Sequence, residues 1–223
     1  MVLPEYEKIA RFVQNPERSA PLNLAVVEES AATGEVAALY DHFRAHFGRP
    51  DVPGILKCFA THPPLLKHMI DLSEQLIFTD GSLGRKRKEM IATRISAQNL
   101  CPYCADSHGY FLRVHGGSSR ALAAIQASDL RSPELSIAEQ ALLKFAHKVN
   151  FNSHEIVRAD VDLLLHAGWS ELQIAEAVHV AALFSTFNRV ANAFGLASQG
   201  LLSLCDKSAG DQQNNGASER SSQ

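Results

Sequence analysis

Residues 89–108 read EMIATRISAQNLCPYCADSH (Glu89 to His108), and this stretch decides how the rest of the chain is read. It carries a Cys-x-x-Cys, Cys101-Pro102-Tyr103-Cys104, with His108 four residues after the second cysteine and Glu89 twelve residues before the first. Proline fits the first turn of a helix, where its missing N–H costs nothing. Tyr103, Tyr110, Phe111 and Val114 continue an apolar helical pattern. The reading is a helix from about Pro102 to His115, with Cys101 at its N-cap and Gly116-Gly117 at its end. A second helix is read from about Leu83 to Gln98. Asn99-Leu100 is the tight connection between them, so the two form an antiparallel hairpin that can bring Glu89 near His108.

The spacing has chemical consequences. On a helix, positions 101, 104 and 108 fall within about 60° of one another. His108 can take the Cys104 proton directly or through one water. Cys101 lies one turn away, near enough for a disulfide with Cys104. Thiolate, base and resolving thiol are the parts of a two-electron thiol cycle. The helix start lowers the pKa of Cys101, whereas the histidine spacing favours Cys104, and sequence alone leaves open which is attacked first. Three other readings compete. The cysteines can be core thiols. With His108 they can be three ligands of a zinc site, although no second Cys-x-x-Cys or His-x-x-x-His pair completes one. A thioredoxin-like site needs the motif after a strand, and here a helix precedes it. Glu89 can also simply pair with Arg85 four residues earlier.

The spacing Glu89, eleven residues, Cys101-x-x-Cys104, three residues, His108 resembles the AhpD-like alkylhydroperoxidase family, within the carboxymuconolactone decarboxylase superfamily. The likeness runs over roughly residues 30–200 and is strongest at 80–117. It implies an all-α bundle built on a CxxC-bearing hairpin, assembled as a homo-oligomer. It also implies reduction of hydroperoxides with no metal or organic cofactor. In the family scheme Cys104 is the peroxidatic thiol, His108 activates it, Glu89 joins the proton relay and Cys101 resolves the sulfenic acid. Electrons come from a dithiol reductant, in the best-studied members a lipoylated redox adaptor protein. The founding enzymes have a histidine between the cysteines, where this chain has Tyr103. That departure keeps a redox-sensing or disulfide-exchange protein in view as an alternative. The decarboxylase type found elsewhere in the superfamily is a further rival, although those members lack the paired cysteines.

Outward from the motif, residues 1–30 are read as an N-terminal arm, packed on a neighbouring subunit or loosely held. Residues 31–205 form the all-α domain, and the polar stretch 206–223 is a disordered tail. Val36, Leu39, Tyr40 and Phe43 make a helical stripe over 32–47, stopped by Gly48-Arg49-Pro50. A short helix breaks at Pro63-Pro64. A longer one follows from about Leu65 to Phe78, with Leu65, Leu66, Met69, Ile70 and Leu76 inward. Cys58 reads as a small buried hydrophobe, Cys205 as incidental, His62 and His68 as surface or cap residues, and His147 as an outer-face residue. The run Arg85-Lys86-Arg87-Lys88 reads as a solvated face, with a basic rim for an acidic redox partner as the alternative. Short helices are read at 119–127 and 160–166. Capping boxes at Ser136/Glu139 and Ser170/Gln173 open helices from Ile137 to about Val149 and from Glu171 to about Leu196. Within the last, Glu176-x-x-His179 lacks the second copy a di-iron bundle needs and reads as a buried or interface hydrogen-bonded pair. Asn188 and Arg189 interrupt its apolar pattern, either closing the floor of the site or bridging subunits.

The composition frames these readings. At 223 residues the chain is long enough to bury a core. A net charge of −3, with 21 basic and 24 acidic residues intermixed, carries no nucleic-acid or membrane signature. Four cysteines are too few for a disulfide scaffold, and no apolar run of membrane-spanning length is present. The expectation is a soluble cytoplasmic protein with reduced thiols.

Overall fold

The computed structural model describes residues 22–48, 51–203 and 205. Among these the secondary structure is helical, with no strand. Helix α1 (Gly34–Phe47) buries Val36, Tyr40 and Phe43 and ends at Gly48. Helix α2 (Gly54–Phe59) is short. Helix α3 (Pro63–Ser73) starts on the two prolines and runs into a π turn, Glu74–Phe78. Helices α4 (Arg85–Gln98) and α5 (Pro102–Val114) are the hairpin. Next come α6 (Ser119–Gln126), α7 (Ile137–Phe151), α8 (Arg158–His166) and α9 (Glu171–Phe194). Both capping boxes read from the sequence are formed, Ser136 with Glu139 and Ser170 with Gln173.

Helix α4 is the hub. It packs against α5, α6, α7 and α9, and every residue from Lys88 to Ala97 is buried. A helix covered on all sides loses its amphipathic stripe. The turn into α5 places Leu100 in the left-handed region (φ 51°). Such a conformation costs a branched residue about 1–2 kcal/mol, so the surroundings must hold it. Amides from three elements do so. The Asn99 side chain exchanges hydrogen bonds with Asn150 on α7 (2.8 and 3.2 Å) and donates to Asn188 on α9 (3.0 Å). The Asn99 carbonyl accepts from Asn192 (3.1 Å).

Several sequence expectations change on contact with the fold. In α3 the buried stripe is Leu66, Met69, Ile70 and Ser73, continued by Ile77. Leu65 and Leu76 flank it, and Leu65 is exposed rather than inward. The basic run is not a uniform solvated face: Lys88 is fully buried and Arg85 half-buried. His147 is half-buried and shares a 2.7 Å hydrogen bond with Gln98. Of the N-terminal arm, the described part lies along its own chain. Asn23 N–H donates to the Phe194 carbonyl (2.9 Å) and Val27 N–H to that of Lys57 (3.3 Å). Residues 1–21 and the tail from 206 lie outside the described residues. No helix among the described residues is long and apolar enough to cross a membrane.

Candidate active site

The hairpin brings the four singled-out residues together. Glu89 on α4 is fully buried, and its Oε2 lies 2.7 Å from His108 Nδ1 on α5. Its other oxygen accepts from Arg85 Nε at 2.6 Å. Glu89 therefore makes both contacts the sequence offered it, to Arg85 and to His108. Burial alone raises a carboxyl pKa. Here His108 and Arg85 more than offset it, and the Glu89 pKa lies below its ordinary value. An ionised Glu89 takes the Nδ1 proton as a hydrogen bond and leaves Nε2 as the basic lone pair. The Arg85 guanidinium in turn lies over the rings of Phe78 (4.9 Å) and Phe111 (5.6 Å), which fix it beside the carboxylate.

Cys104 and His108 both line one cavity of about 70 Å³. Its wall is largely apolar, with Ile55, Ile77, Phe111, Phe184 and Phe187 among the lining residues. The Phe184 ring stands edge-on to the imidazole at 4.4 Å. Cys101 does not contribute to that wall. It sits in a second apolar cluster with Cys58, Tyr103, Cys104, Ala191 and Leu196, and both motif cysteines are in the reduced, thiol form. Cys58 is thus a buried thiol, as the sequence suggested, but in the same cluster as the motif. Burial pushes its pKa up to about 12.

Cys104 holds its proton tightly. A hydrogen bond to Cys101, then burial, raise its pKa well above that of an ordinary thiol. A hydrogen bond from Asn188 opposes them, favouring the thiolate. Asn188 is fully buried, accepts from Asn99 (3.0 Å) and donates to Ser96 Oγ (3.0 Å). The same network that holds the hairpin turn therefore reaches the sulfur. Asn188 is thus buried beneath Cys104, while Arg189 is exposed. Tyr103 also lines the cavity, and its hydroxyl accepts from Ile55 N–H at 3.4 Å.

Residues 63–148 match the carboxymuconolactone decarboxylase family. The fold is similar to an alkylhydroperoxidase AhpD core, a peroxidase-related protein from Ralstonia eutropha. That likeness has a TM-score of 0.72 at 25% identity, over 82% of this chain and 95% of that one. These likenesses support the AhpD-like carboxymuconolactone decarboxylase superfamily. A peroxidase-related protein from Silicibacter aligns with a TM-score of 0.68 at 26% identity, over 78% of this chain and 90% of that one. An alkyl hydroperoxide reductase of Mycobacterium tuberculosis is 32% identical over 114 residues, which are 51% of this chain and only 30% of that protein. The Bacillus subtilis protein YdfG is 24% identical over 136 residues, 60% of this chain and 88% of its own length.

One sequence reading is corrected. Glu176 does not pair with His179, which is exposed. Its Oε1 lies 2.6 Å from Lys88 Nζ, and its Oε2 accepts from Ser82 N–H (2.8 Å) and Leu83 N–H (2.7 Å). The Glu-x-x-His spacing puts both residues on one helix, but the carboxylate meets a lysine that lies 88 positions earlier in the chain. Among the described residues no cluster of histidine, cysteine and carboxylate side chains fits a metal ion. The site is one of thiols, imidazole and amide, and it can perform nucleophilic attack by sulfur with proton transfer to a positioned base.

Proposed function

We propose that this protein reduces organic hydroperoxides through a dithiol–disulfide cycle of Cys104 and Cys101. The observation that carries the reading is that Cys104 and His108 share one apolar cavity while buried Glu89 fixes the imidazole from behind. His108 Nε2 takes the Cys104 proton. The thiolate attacks the outer oxygen of the hydroperoxide, the O–O bond breaks, and His108 returns the proton to the leaving alkoxide, giving an alcohol and Cys104 sulfenic acid. Cys101 then attacks the Cys104 sulfur, releasing water and forming the disulfide. An external dithiol, free or carried on an adaptor protein, restores both thiols. The raised proton affinity of Cys104 makes the base necessary, because little thiolate exists at neutral pH without it. The enzyme works as a homo-oligomer in the thiol-reducing cytoplasm.

The cavity also bears on the decarboxylase rival. A lactone carboxylate asks for a cationic partner, and among the described residues the lining includes neither lysine nor arginine. A redox-sensing role with slow turnover has one observation in its favour, the tightly held Cys104 proton.

The test pairs two variants. Reduced Cys101→Ser is treated with one equivalent of cumene hydroperoxide in the presence of dimedone, and the adduct is mapped by mass spectrometry. The reading expects the adduct on Cys104 and none in Cys104→Ser. An adduct on Cys101 in Cys104→Ser, or no adduct in either, overturns it. Steady-state turnover with an excess of dithiol separates an enzyme from a sensor that oxidises once and stalls.

A further inference from the structure

After α9 the chain does not leave the fold. It turns at Gly195 and runs back across α5 without regular structure as far as Gly200. Three observations tie this segment to the site. Gln199 and Leu201 line the cavity that holds Cys104 and His108, and Leu196 packs in the cluster with the motif cysteines. Asp106, buried on α5 between Cys104 and His108, directs both carboxylate oxygens at the segment. Oδ2 accepts from Leu201 N–H (2.9 Å) and Oδ1 from Leu202 N–H (3.0 Å). One turn further along α5, Gly109 leaves the space that Leu202 fills, since a Cβ there would sit 3.1 Å from Leu202 Cδ1.

We infer that residues 196–203 form a strap that gates the cavity by size, and that Asp106 is the positioning residue that holds the strap shut. A buried carboxylate with two backbone N–H donors makes strong, directed bonds. Leu196 N–H stays bonded to the Ala191 carbonyl (2.9 Å) at the end of α9 and marks the hinge, while the bonds from Gly200 N–H to Ser198 and from Ser203 to the Gly200 carbonyl are internal to the segment and survive its opening. Such a segment belongs to the low-stability end of a fold. Closed, the strap leaves a cavity of about 70 Å³, so a bulky molecule reaches Cys104 more slowly, at the rate at which the strap opens. Asp106 touches no reacting atom. It acts through Leu201, whose side chain completes the wall.

This inference deepens the peroxidase reading, and its test does not need peroxidase activity. The reduced full-length protein is alkylated at Cys104 by iodoacetamide and by the much larger 5-iodoacetamidofluorescein, with rates read by peptide mass spectrometry. Asp106→Ala frees the strap. Leu201→Ala leaves the anchor in place, removes only the side chain over the cavity, and decides the matter should Asp106→Ala fold poorly. The preference for the small reagent should fall about tenfold in each, because loss of an anchor or of the covering side chain raises the accessible population by at least that factor. The Asp106→Asn variant, with one amide oxygen in place of two charged ones, should fall between. A small-to-large ratio unchanged in Leu201→Ala overturns the gate. Loss of size discrimination without any reaction toward hydroperoxides keeps the strap and removes the peroxidase reading. Peroxide reduction with unchanged discrimination does the reverse.

Discussion

Lys88 and Glu89 are adjacent in sequence, both fully buried on α4, and both ion-paired, yet one belongs to the scaffold and the other to the site. Lys88 points its ammonium at three acceptors: the carbonyls of Leu76 and Thr79, each at 2.8 Å, and Glu176 at 2.6 Å. Glu176 ends in the backbone N–H groups of Ser82 and Leu83. Even the neighbouring turn is built around this node, because a Cβ on Gly81 would clash with a Glu176 oxygen. Each charged group there ends on backbone or on its counter-ion, and none faces the cavity. Glu89 sits between a guanidinium and an imidazole, and that imidazole lines a cavity beside a thiol. Burial of a charge is therefore not what separates scaffold from site. What separates them is where the chain of partners ends, in backbone or in a proton acceptor facing a cavity.

The largest expected effect breaks the comparison on the scaffold side. Lys88→Met leaves Glu176 without its counter-ion and should cost about 3–5 kcal/mol in urea unfolding. The folded variant should keep the wild-type pH dependence of Cys104 alkylation. A changed profile would mean that the two nodes are one system. On the site side, Glu89→Gln should slow the reaction with hydroperoxide about a hundredfold, because a neutral amide no longer favours the imidazolium that forms as Cys104 loses its proton. Stopped-flow rates check it.

The same substitution has a linkage signature. The folded Glu89 pKa lies below its ordinary value of 4.5. Its contribution to stability is therefore fully present above that pH and fades as pH falls through the folded value. Acid unfolding of Glu89→Gln should be less steep than that of the wild type below about pH 4.5, seen in stability measured at stepped pH.

Smaller effects sharpen the picture around the sulfur. Asn188→Ala removes the donor that favours the Cys104 thiolate, so iodoacetamide labelling of Cys104 at neutral pH should fall about tenfold. Since the Cys104 pKa is raised, the wild-type labelling rate should still be climbing above pH 8 instead of reaching a plateau. Smallest is Tyr103→Phe. Its hydroxyl accepts one long bond from Ile55, and its loss should change stability by less than about 1 kcal/mol and leave peroxide reaction near wild type. A large loss would give Tyr103 a proton-transfer role.

Much of this architecture is legible in the amino-acid sequence. Pro102, the apolar spacing after it and the Asn99-Leu100 connection announce the hairpin. The i,i+4 relation of Cys104 and His108 follows from helical geometry, and Ser136/Glu139 and Ser170/Gln173 mark two helix starts. What sequence hides is long-range pairing and burial that has no period. Lys88 looks like part of a solvated run because α4 is covered on all sides and has no polar face to betray the exception. Asn188 interrupts an apolar pattern, but its partners Ser96 and Asn99 are about ninety positions away. Leu65 is as apolar as Leu66 beside it, and only the packing of α3 decides which turns in. The strap at 196–203 has neither helical period nor motif, so nothing in its composition points back to Asp106.

The central claim is that one equivalent of peroxide is consumed by the Cys104–Cys101 pair in the AhpD-like hairpin. The most direct test mixes fully reduced protein with one equivalent of cumene hydroperoxide in a stopped-flow instrument, counts free thiols, and maps disulfides afterwards. The account predicts loss of two thiols per chain and a Cys101–Cys104 disulfide, with Cys58 and Cys205 still reduced. All four thiols intact, or a disulfide formed elsewhere, would contradict it and leave the family likeness as a statement about fold.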